Sequence, residues 1–482
     1  MIRITPCIGR AELQPLESRR LLAGDFGWAL NPGGEGQDRA HAVAVNQASG
    51  DVYVIGTFAG VVDFDKSPAV VERSAVGAND LYLARYAPDA SLAWVVTFGG
   101  SGVDEAGDIA IAPDGSLAVV GSFSGSGDFD PDPDAQTTLS AVGYADAFVA
   151  RFTSSGDLIW ARSAGGRAYD TARGVAVADD GTVYAVGQFR HRIRFGTNLD
   201  MPLDVDGGGW TDAFVWSLDA DGSMHNAIRA GGSDVEMAED VAVTPDGEVV
   251  IIGAFRSVAC LFGTDRNGQP VRLEAHAAGG AFDGFVALYD DQLVCLDACP
   301  LVSTGQVRGR SIAADDSGIY VYGEFSGVYN GKSAGSPTSL FVQRLDGPTL
   351  HINGDRGQIP GAIALGGGGD VYVSGSFGGG LRGSGGAIRF SDDAHFDLVS
   401  GGGYDAFVAR LRFDASSVEP VWTRRFGGAS NCFATGVAVN TNDDSVYTAG
   451  HYAGRADFNP RGNVAWRKRV GEYDAWLVKL LA

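Results

Sequence analysis

The stretch GGRAYDTARGVAVADDGTVYAVGQF at Gly165–Phe189 recurs along the chain. It returns as GGSGVDEAGDIAIAPDGSLAVVGSF at Gly99–Phe123 and as GGEGQDRAHAVAVNQASGDVYVIGTF at Gly33–Phe58. Weaker copies run over Gly231–Phe255, Gly305–Phe325, Gly357–Phe377 and Gly427–Tyr452, which makes seven. A repeat of this length constrains the fold more than any other feature. One copy cannot bury its own apolar face, so the copies must pack on one another.

Each full unit carries four short apolar runs. In the second unit they are Asp108–Ala112, Leu117–Phe123, Asp146–Phe152 and Leu158–Arg162. Runs rich in Val, Ala and aromatics, bounded by D-G, S-G and G-G, predict strands. No long segment has a 3.6-residue period, so helices should be nearly absent. The first two runs form a hairpin across turns such as Pro113-Asp114-Gly115. The third run recurs as DLYLARY, DAFVARF, DAFVWSL, DGFVALY, SLFVQRL, DAFVARL and DAWLVKL. The fourth recurs around Trp94, Trp160 and Trp422, with Asn226 and Cys295 where units three and four would place Trp. Unit length is near 66 residues. The surplus over a minimal four-stranded unit is an insertion of about twenty residues between strands two and three, such as Gly60–Asn79, Gly125–Ala145 and the Gly-rich Gly378–Gly403.

The chain ends suggest how the units are arranged. The last unit stops after its third run, and a spare fourth run, FGWALNPGG at Phe26–Gly34, stands at the start. Its Trp28 keeps the spacing to Trp94. A ring in which this strand completes the last sheet removes the exposed edge an open array would leave. The expected fold is therefore all-β, a seven-bladed β-propeller of four-stranded blades closed by the N-terminal strand. An open β-solenoid would need end caps and gives no reason for the displaced strand. The expected domains are 1–25, a sorting or flexible segment, and 26–482, the propeller.

Composition narrows the function classes. The net charge of −23 disfavours nucleic acid, whose binding relies on Lys and Arg at phosphates. It favours a self-repelling, soluble and monomeric molecule. No run of 18 apolar residues exists to span a membrane. The five Cys are too few and too scattered for a disulfide framework. Cys295 and Cys299 lie too far apart on one strand to bridge, and no His or second Cys pair flanks them to hold a metal.

The unit GG-x3-D-x-A-x2-VAV-x2-DG-x-VYV-x-G-x-F, with x-DFD, DAFVARF and L-x-W-x-R-x-x-GG, resembles the bacterial SBBP family of β-propeller repeats. The likeness covers Phe26–Ala482 and is best in units one, two, three and seven. It implies the fold and leaves the function open, because a fold is not a functional warrant. Leu16–Leu22, LESRRLL, resembles the LEPR-x-LL motif of bacterial surface proteins of planctomycete type, with Ser18 in place of Pro. That resemblance implies export or surface sorting. Residues 1–25 have no clean apolar h-region, so an ordinary signal peptide is not expected. A short basic amphipathic arm is the alternative.

Two acidic groups are candidate metal sites. Asp38, Asp104, Asp170 and Glu236 share one register on the connection from an outer strand to the next inner strand. They would form half an acidic ring at one mouth of the channel, able to hold calcium or another cation. Gln306, Gln358 and Cys432 fall nearest that register elsewhere. The competing reading makes each carboxylate an acceptor of backbone N–H groups in a tight turn. Asp128, Asp130, Asp132 and Asp134 lie in DFDPDPD, where alternating carboxylates suit a hard cation. The loop lacks the Gly and Glu that an EF-hand places at positions six and twelve, so a solvated acidic loop stiffened by Pro competes. Asp63/Asp65 and Asp457/Asn459 are thinner versions. The scattered His form no H-E-x-x-H, and no nucleophile elbow is present.

These readings favour a non-enzymatic, exported or cell-surface platform that binds a protein or a glycan through its loop face. The alternatives are a propeller hydrolase or lyase with its site at the channel mouth, and a structural module of a surface layer. Convergence of carboxylates, Arg and His at the mouth would favour the enzyme.

Overall fold

The D-G and S-G turns fold each repeat into an antiparallel meander of four strands. The computed structural model describes residues 25–65, 67–195, 202–204, 210–276, 280–335, 337–379, 386–459 and 465–481. In repeat two, Glu105–Ile111, Leu117–Phe123, Asp146–Phe152 and Leu158–Gly165 pair in sequence order. The second and third strands match their expected bounds. The first begins earlier than expected and the last runs on to the closing Gly. In the last meander, Cys432–Asn440, Ser445–Tyr452 and Asp474–Leu481 take Asp25–Leu30 as their fourth strand, with Trp28 opposite Lys479. Helical structure among the described residues is limited to short 3-10 turns such as Gly367–Gly369 and Ala394–Phe396.

The meanders stand side by side with their first strands inward. Arg39–Val45 packs on Glu105–Ile111 on one side and on Cys432–Asn440 on the other, and each remaining first strand packs on the next. The molecule is a β-propeller. Its core is divided among apolar clusters, each shared by adjacent sheets; Ile55, Leu83, Val119 and Phe148, for instance, pack together from repeats one and two. The strand-two glycine at the centre of each sheet leaves room for the aromatic opposite. A Cβ on Gly121 would lie 2.8 Å from the Phe148 ring.

Three devices join one meander to the next. Trp28, Trp94 and Trp160 donate from Nε1 to the carbonyls of Pro88, Ser154 and Ala220, each in the strand three–four turn of the following repeat. Asn226, standing in the same register, donates to Gln292 O at 2.7 Å. In repeat four strand pairing corrects the expectation: Asp297, opposite Leu288, holds the Trp register, and Cys295 lies buried opposite Tyr289, in the register of Leu92 and Leu158. Second, the insertions fold back as hairpins against the end of strand four of the preceding repeat. Val61–Asp63 pairs with Gly33–Gly34, and Arg192–Phe195 pairs with Leu158–Gly165. Third, each insertion drives one aromatic into the core: Phe64, Phe129, Phe195, Phe262, Tyr329, Phe390 and Phe458 are all at most 2 % exposed. Burying such a ring is worth about 1.5–3 kcal/mol, so the insertions clamp the sheets together as well as carrying exposed loops.

Candidate functional site

The antiparallel order sends all connections from strand four to strand one, and all insertions, to one end of the propeller. We call this end the rim. The four carboxylates singled out by register lie there and are almost fully buried, at 1 % exposure or less. Asp104 accepts from the Gly100 and Ser124 amides at 2.8 and 3.2 Å. Asp170 accepts from the Gly166 and Arg190 amides at 2.7 and 3.0 Å. Asp38 accepts from Gly34 and Ala59, and Glu236 from Gly232 and Ser257. The backbone of the same segment continues the link. Asp38, Asp170 and Glu236 donate their own N–H to Tyr473, Ala145 and Thr211 of the preceding repeat.

A second buried carboxylate faces each of these from the start of strand three. Asp80 accepts from Val76 and Gly77, and Asp146 from Val142; Asp405, beside Cys432 of repeat seven, accepts from Gly401 and Gly428. The recurrent GG exists because these groups leave no room: a Cβ on Gly165 would lie 2.0 Å from Asp146 Cγ, and one on Gly231 would lie 2.5 Å from Asp212 Cγ. Burial pushes the Asp104 and Asp170 carboxyls up to about 7, against the pull of their two amide donors. Burial also raises Asp405, to about 6. Asp212 and Glu236 form a tightly linked pair in which burial raises both.

Strand pairing corrects one register. Val307 faces Phe325 as Glu236 faces Phe255, so Val307, not Gln306, holds the carboxylate position in repeat five. Gln358 and Cys432 hold it in repeats six and seven. The carboxylates thus occupy an arc over repeats one to four.

The DFDPDPD loop is a chain of local turns. Asp128 accepts from the Asp130 and Thr137 amides, Asp130 from Asp132, and Asp132 from Asp134. Asp63 and Asp457 repeat the first pattern, accepting from Asp65 and Val71 and from Asn459 and Ala465. Among the described residues, no group of three or more His, Cys, Asp or Glu is disposed to hold a metal ion. The LESRRLL segment lies outside the described residues.

The first strands of all seven repeats line a central cavity of about 300 Å³. A bulge in each strand sets two consecutive residues against one partner there. The bulged pairs supply Asp108, Arg173, Glu239, Asp240, Arg310 and Ser311, with His41 beside them. Glu239 bridges Arg173 at 3.7 Å and Arg310 at 3.0 Å, and Arg310 also reaches Glu324 at 3.1 Å. Asp240 accepts from Ser311 Oγ at 2.7 Å and from the Ile312 amide. Burial raises both Asp108 and Asp240, and the repulsion of Asp240 adds to the rise at Asp108. The sequence reading missed these residues. Their signal was charge at the head of otherwise apolar strands, in GDIAI, EDVAV and RGRSIAA.

The rim also differs from the opposite end in polarity. Val76, Val142 and Val470 stand exposed in the segments before strand three, at 86, 72 and 66 %. Tyr144 and Trp210 follow at 82 and 60 %, and Val103 and Tyr169 precede the carboxylates. Arg190 lies over the Trp210 ring at 5.3 Å. Among the described residues, no large apolar side chain is exposed in the strand one–two or strand three–four turns at the other end.

Comparison with known proteins adds little to this geometry. No family model matches the chain. It is 26 % identical over 372 residues to a regulatory protein, FlaEY, of Caulobacter vibrioides, covering 69 % of this chain and 37 % of that protein. It is 24 % identical over 166 residues to an uncharacterised WD repeat-containing protein of Acanthamoeba polyphaga mimivirus, covering 33 % of this chain and 12 % of that one. The chain thus spans little more than a third of the first relative's length. Among solved structures, a chain of the Mitotic Checkpoint Complex aligns over 100 % of this chain and 99 % of its own, at 9 % identity and TM-score 0.44. The Dos1 propeller aligns over 94 % and 95 %, at 10 % identity and TM-score 0.40. A virginiamycin B lyase from Staphylococcus aureus aligns over 94 % and 99 %, at 8 % identity and TM-score 0.39.

Proposed function

We propose that the chain is a seven-bladed propeller of SBBP type, closed by Asp25–Leu30, that works without catalysis as a platform holding a protein partner on its rim. The observation that carries the binding face is the one-sided exposure of Val76, Val142, Tyr144, Trp210 and Val470. Exposed apolar side chains gathered on one face mark interaction surfaces, and Tyr and Trp are the residues that anchor such interfaces. Closure is supported by the pairing of Asp25–Leu30 with Asp474–Leu481 and by the Trp28 bond to Pro88. The regulatory description of the Caulobacter relative fits a binding role. LESRRLL supports export, and the partner would then be a surface protein. Tyr144→Glu with Trp210→Glu tests the binding face. The double variant should keep the wild-type melting temperature and lose the partner retained by the wild type. Retention of the same partner at equal yield would overturn the reading.

A second reading, a hydrolase or lyase, is favoured by one observation: Asp108, Asp240, Arg173 and Arg310 converge in the channel. Its test is turnover of glycosides or esters that Asp240→Asn abolishes.

A further inference from the structure

The rim of repeat three reverses the sign of charge that the rest of the molecule carries. The chain has a net charge of −23. Yet the two exposed rim segments of this repeat, GGRAY at 165–169 and QFRHRIRF at 188–195, hold four arginines and no carboxylate. The segments meet. Arg194 pairs with Gly165, where the insertion hairpin joins strand four of repeat two, and a Cβ on Gly166 would lie 1.9 Å from Arg192 O. Alternation along the strand then divides the side chains: Ile193 and Phe195 are buried, while Arg192 and Arg194 are exposed, as is Arg167. The same register is held by Asp63, Asp128 and Asp457 in repeats one, two and seven, each placed against the first Gly of its GG. Those carboxylates gather backbone amides, a task that Arg194 cannot perform.

Among the described residues, Arg167 and Arg194 make neither a hydrogen bond nor an ion pair. Arg192 lies opposite Asp204 in the hairpin and is not counted with them. Arg190 donates from Nε to Trp210 O at 3.1 Å and lies over the Trp210 ring. On the other side, the backbone around Arg167 supports the segment that bears Val142 and Tyr144. Tyr144 N donates to Ala168 O at 3.1 Å, and a Cβ on Gly143 would lie 2.4 Å from the carbonyl carbon of Arg167. Tyr144, Arg167, Arg190 and Trp210 thus follow one another along one strip, with guanidinium groups between exposed aromatic rings.

We infer that this strip docks an acidic segment of the partner protein, with carboxylates on Arg167 and Arg194 and apolar side chains against Tyr144 and Trp210. The inference rests on the protein-partner reading and names the chemistry of the contacting segment. A guanidinium holds a carboxylate through two parallel N–H donors, and Arg, Tyr and Trp are the side chains that anchor protein interfaces. The reversed charge is confined to one repeat, which favours a short segment over an extended polyanion. The insertion of repeat two packs on the same strand four and exposes Asp128, Asp132 and Asp134. An acidic polysaccharide or an anionic bilayer would be repelled there. A second copy of this chain would bring its own net negative charge with it.

The experiment uses the full chain and two labelled peptides, followed by fluorescence anisotropy. One peptide is rich in Asp and Glu and carries a single Trp; the other has every carboxylate replaced by its amide. The acidic peptide should bind saturably and at least tenfold more tightly than the amide peptide, against the net charge of the chain. Salt of about 1 M, where the screening length is about 3 Å, should weaken it several-fold. Arg167→Glu with Arg194→Glu should weaken it at least tenfold. Lys468→Glu, at an exposed lysine in the insertion hairpin of repeat seven, should leave it unchanged. The inference is overturned if the acidic peptide does not saturate, if the amide peptide binds as well, if the double variant binds like wild type, or if Lys468→Glu weakens binding equally. It is also overturned if heparin or anionic vesicles bind through Arg167 and Arg194 more tightly than the peptide, or if sedimentation shows a dimer that the double variant dissolves. Should the double variant misfold, Arg167→Gln alone and the comparison of the two peptides still decide. If Tyr144→Glu with Trp210→Glu loses the cellular partner while Arg167→Glu with Arg194→Glu retains it, the rim remains the platform and the acidic occupant is discarded.

Discussion

Repeats one to four and repeats five to seven solve the same turn differently. In the first group a buried carboxylate gathers two backbone amides, as Asp104 does with Gly100 and Ser124. In the second group Val307, Gln358 and Cys432 stand at that position, and other groups take over. Ser326 Oγ accepts from Gln306 N in repeat five, and Gln358 donates to Thr338 O in repeat six. Both solutions leave the meander intact. A residue that recurs in register therefore serves the architecture, and the unrepeated residues at the same rim and channel positions are the ones free to serve a ligand. Tyr144 and Trp210 are of that second kind.

The comparison breaks most visibly where a recurring element is removed. Deleting residues 1–34 takes away the strand paired with Asp474–Leu481 and the Trp28 clasp on the next repeat. Trp28 is half-buried, so its loss costs part of the about 1.5–3 kcal/mol that full burial of such a ring is worth, and the exposed strand edge adds to it. Thermal melts should show a large drop in Tm with aggregation, whereas deleting residues 1–20 should change little. Next in size is Gly165→Ala, whose Cβ would collide with the buried Asp146 carboxylate. Overpacking of this kind costs about 1–3 kcal/mol, measurable by urea unfolding. The same substitution at Gly115, with no atom within 4 Å of the added Cβ, meets only its positive φ of 83° and should cost less.

The carboxylate turns give two further tests. Asp104→Asn keeps one acceptor and turns an amide donor toward a backbone N–H. It should lose about 1–3 kcal/mol, and calcium should leave the melting temperature of both wild type and variant unchanged. A rise in Tm with calcium that Asp104→Asn and Asp170→Asn abolish would instead make the arc a cation site. The pH dependence follows from the raised carboxyls. Asp104 and Asp170, near 7 in the folded chain, start from the ordinary 3.8 when unfolded. Between those values the folded state holds more protons. Their contribution to stability is thus full below about pH 4 and is lost as pH rises through about 7. Urea midpoints should fall over that window, and the fall should be smaller in Asp170→Asn. The smallest stability effect is expected at the unrepeated rim: Tyr144→Glu should stay within about 0.5 kcal/mol of wild type.

The fold was legible because its signals are local and repeat: GG before the carboxylate, D-G at the hairpin, DAFVARF at strand three, Trp on strand four. The displaced Trp28 strand could be paired with the end of the chain on spacing alone. The Gln306/Val307 slip arose in the repeat whose connection departs most from the others, where sequence spacing no longer reports strand register. The channel groups were hidden for a different reason. A two-residue period assigns alternate faces, but the bulge at Gly107-Asp108 and at Glu239-Asp240 sets two neighbours against one partner. The period then fails at the positions that face the lumen. The insertions looked like free loops because their aromatic plugs are single residues in short segments.

The central claim is that the rim, and not the opposite end, is the binding face. A photo-crosslinking residue placed at Tyr144 on the rim and, in a second protein, at Ser155 in a strand three–four turn tests it directly. Exposure to extract of the source cells and irradiation should give one discrete adduct from the Tyr144 position, absent when Trp210→Glu is added, and none from Ser155. Adducts of equal yield from both ends, or from Ser155 alone, would contradict the account.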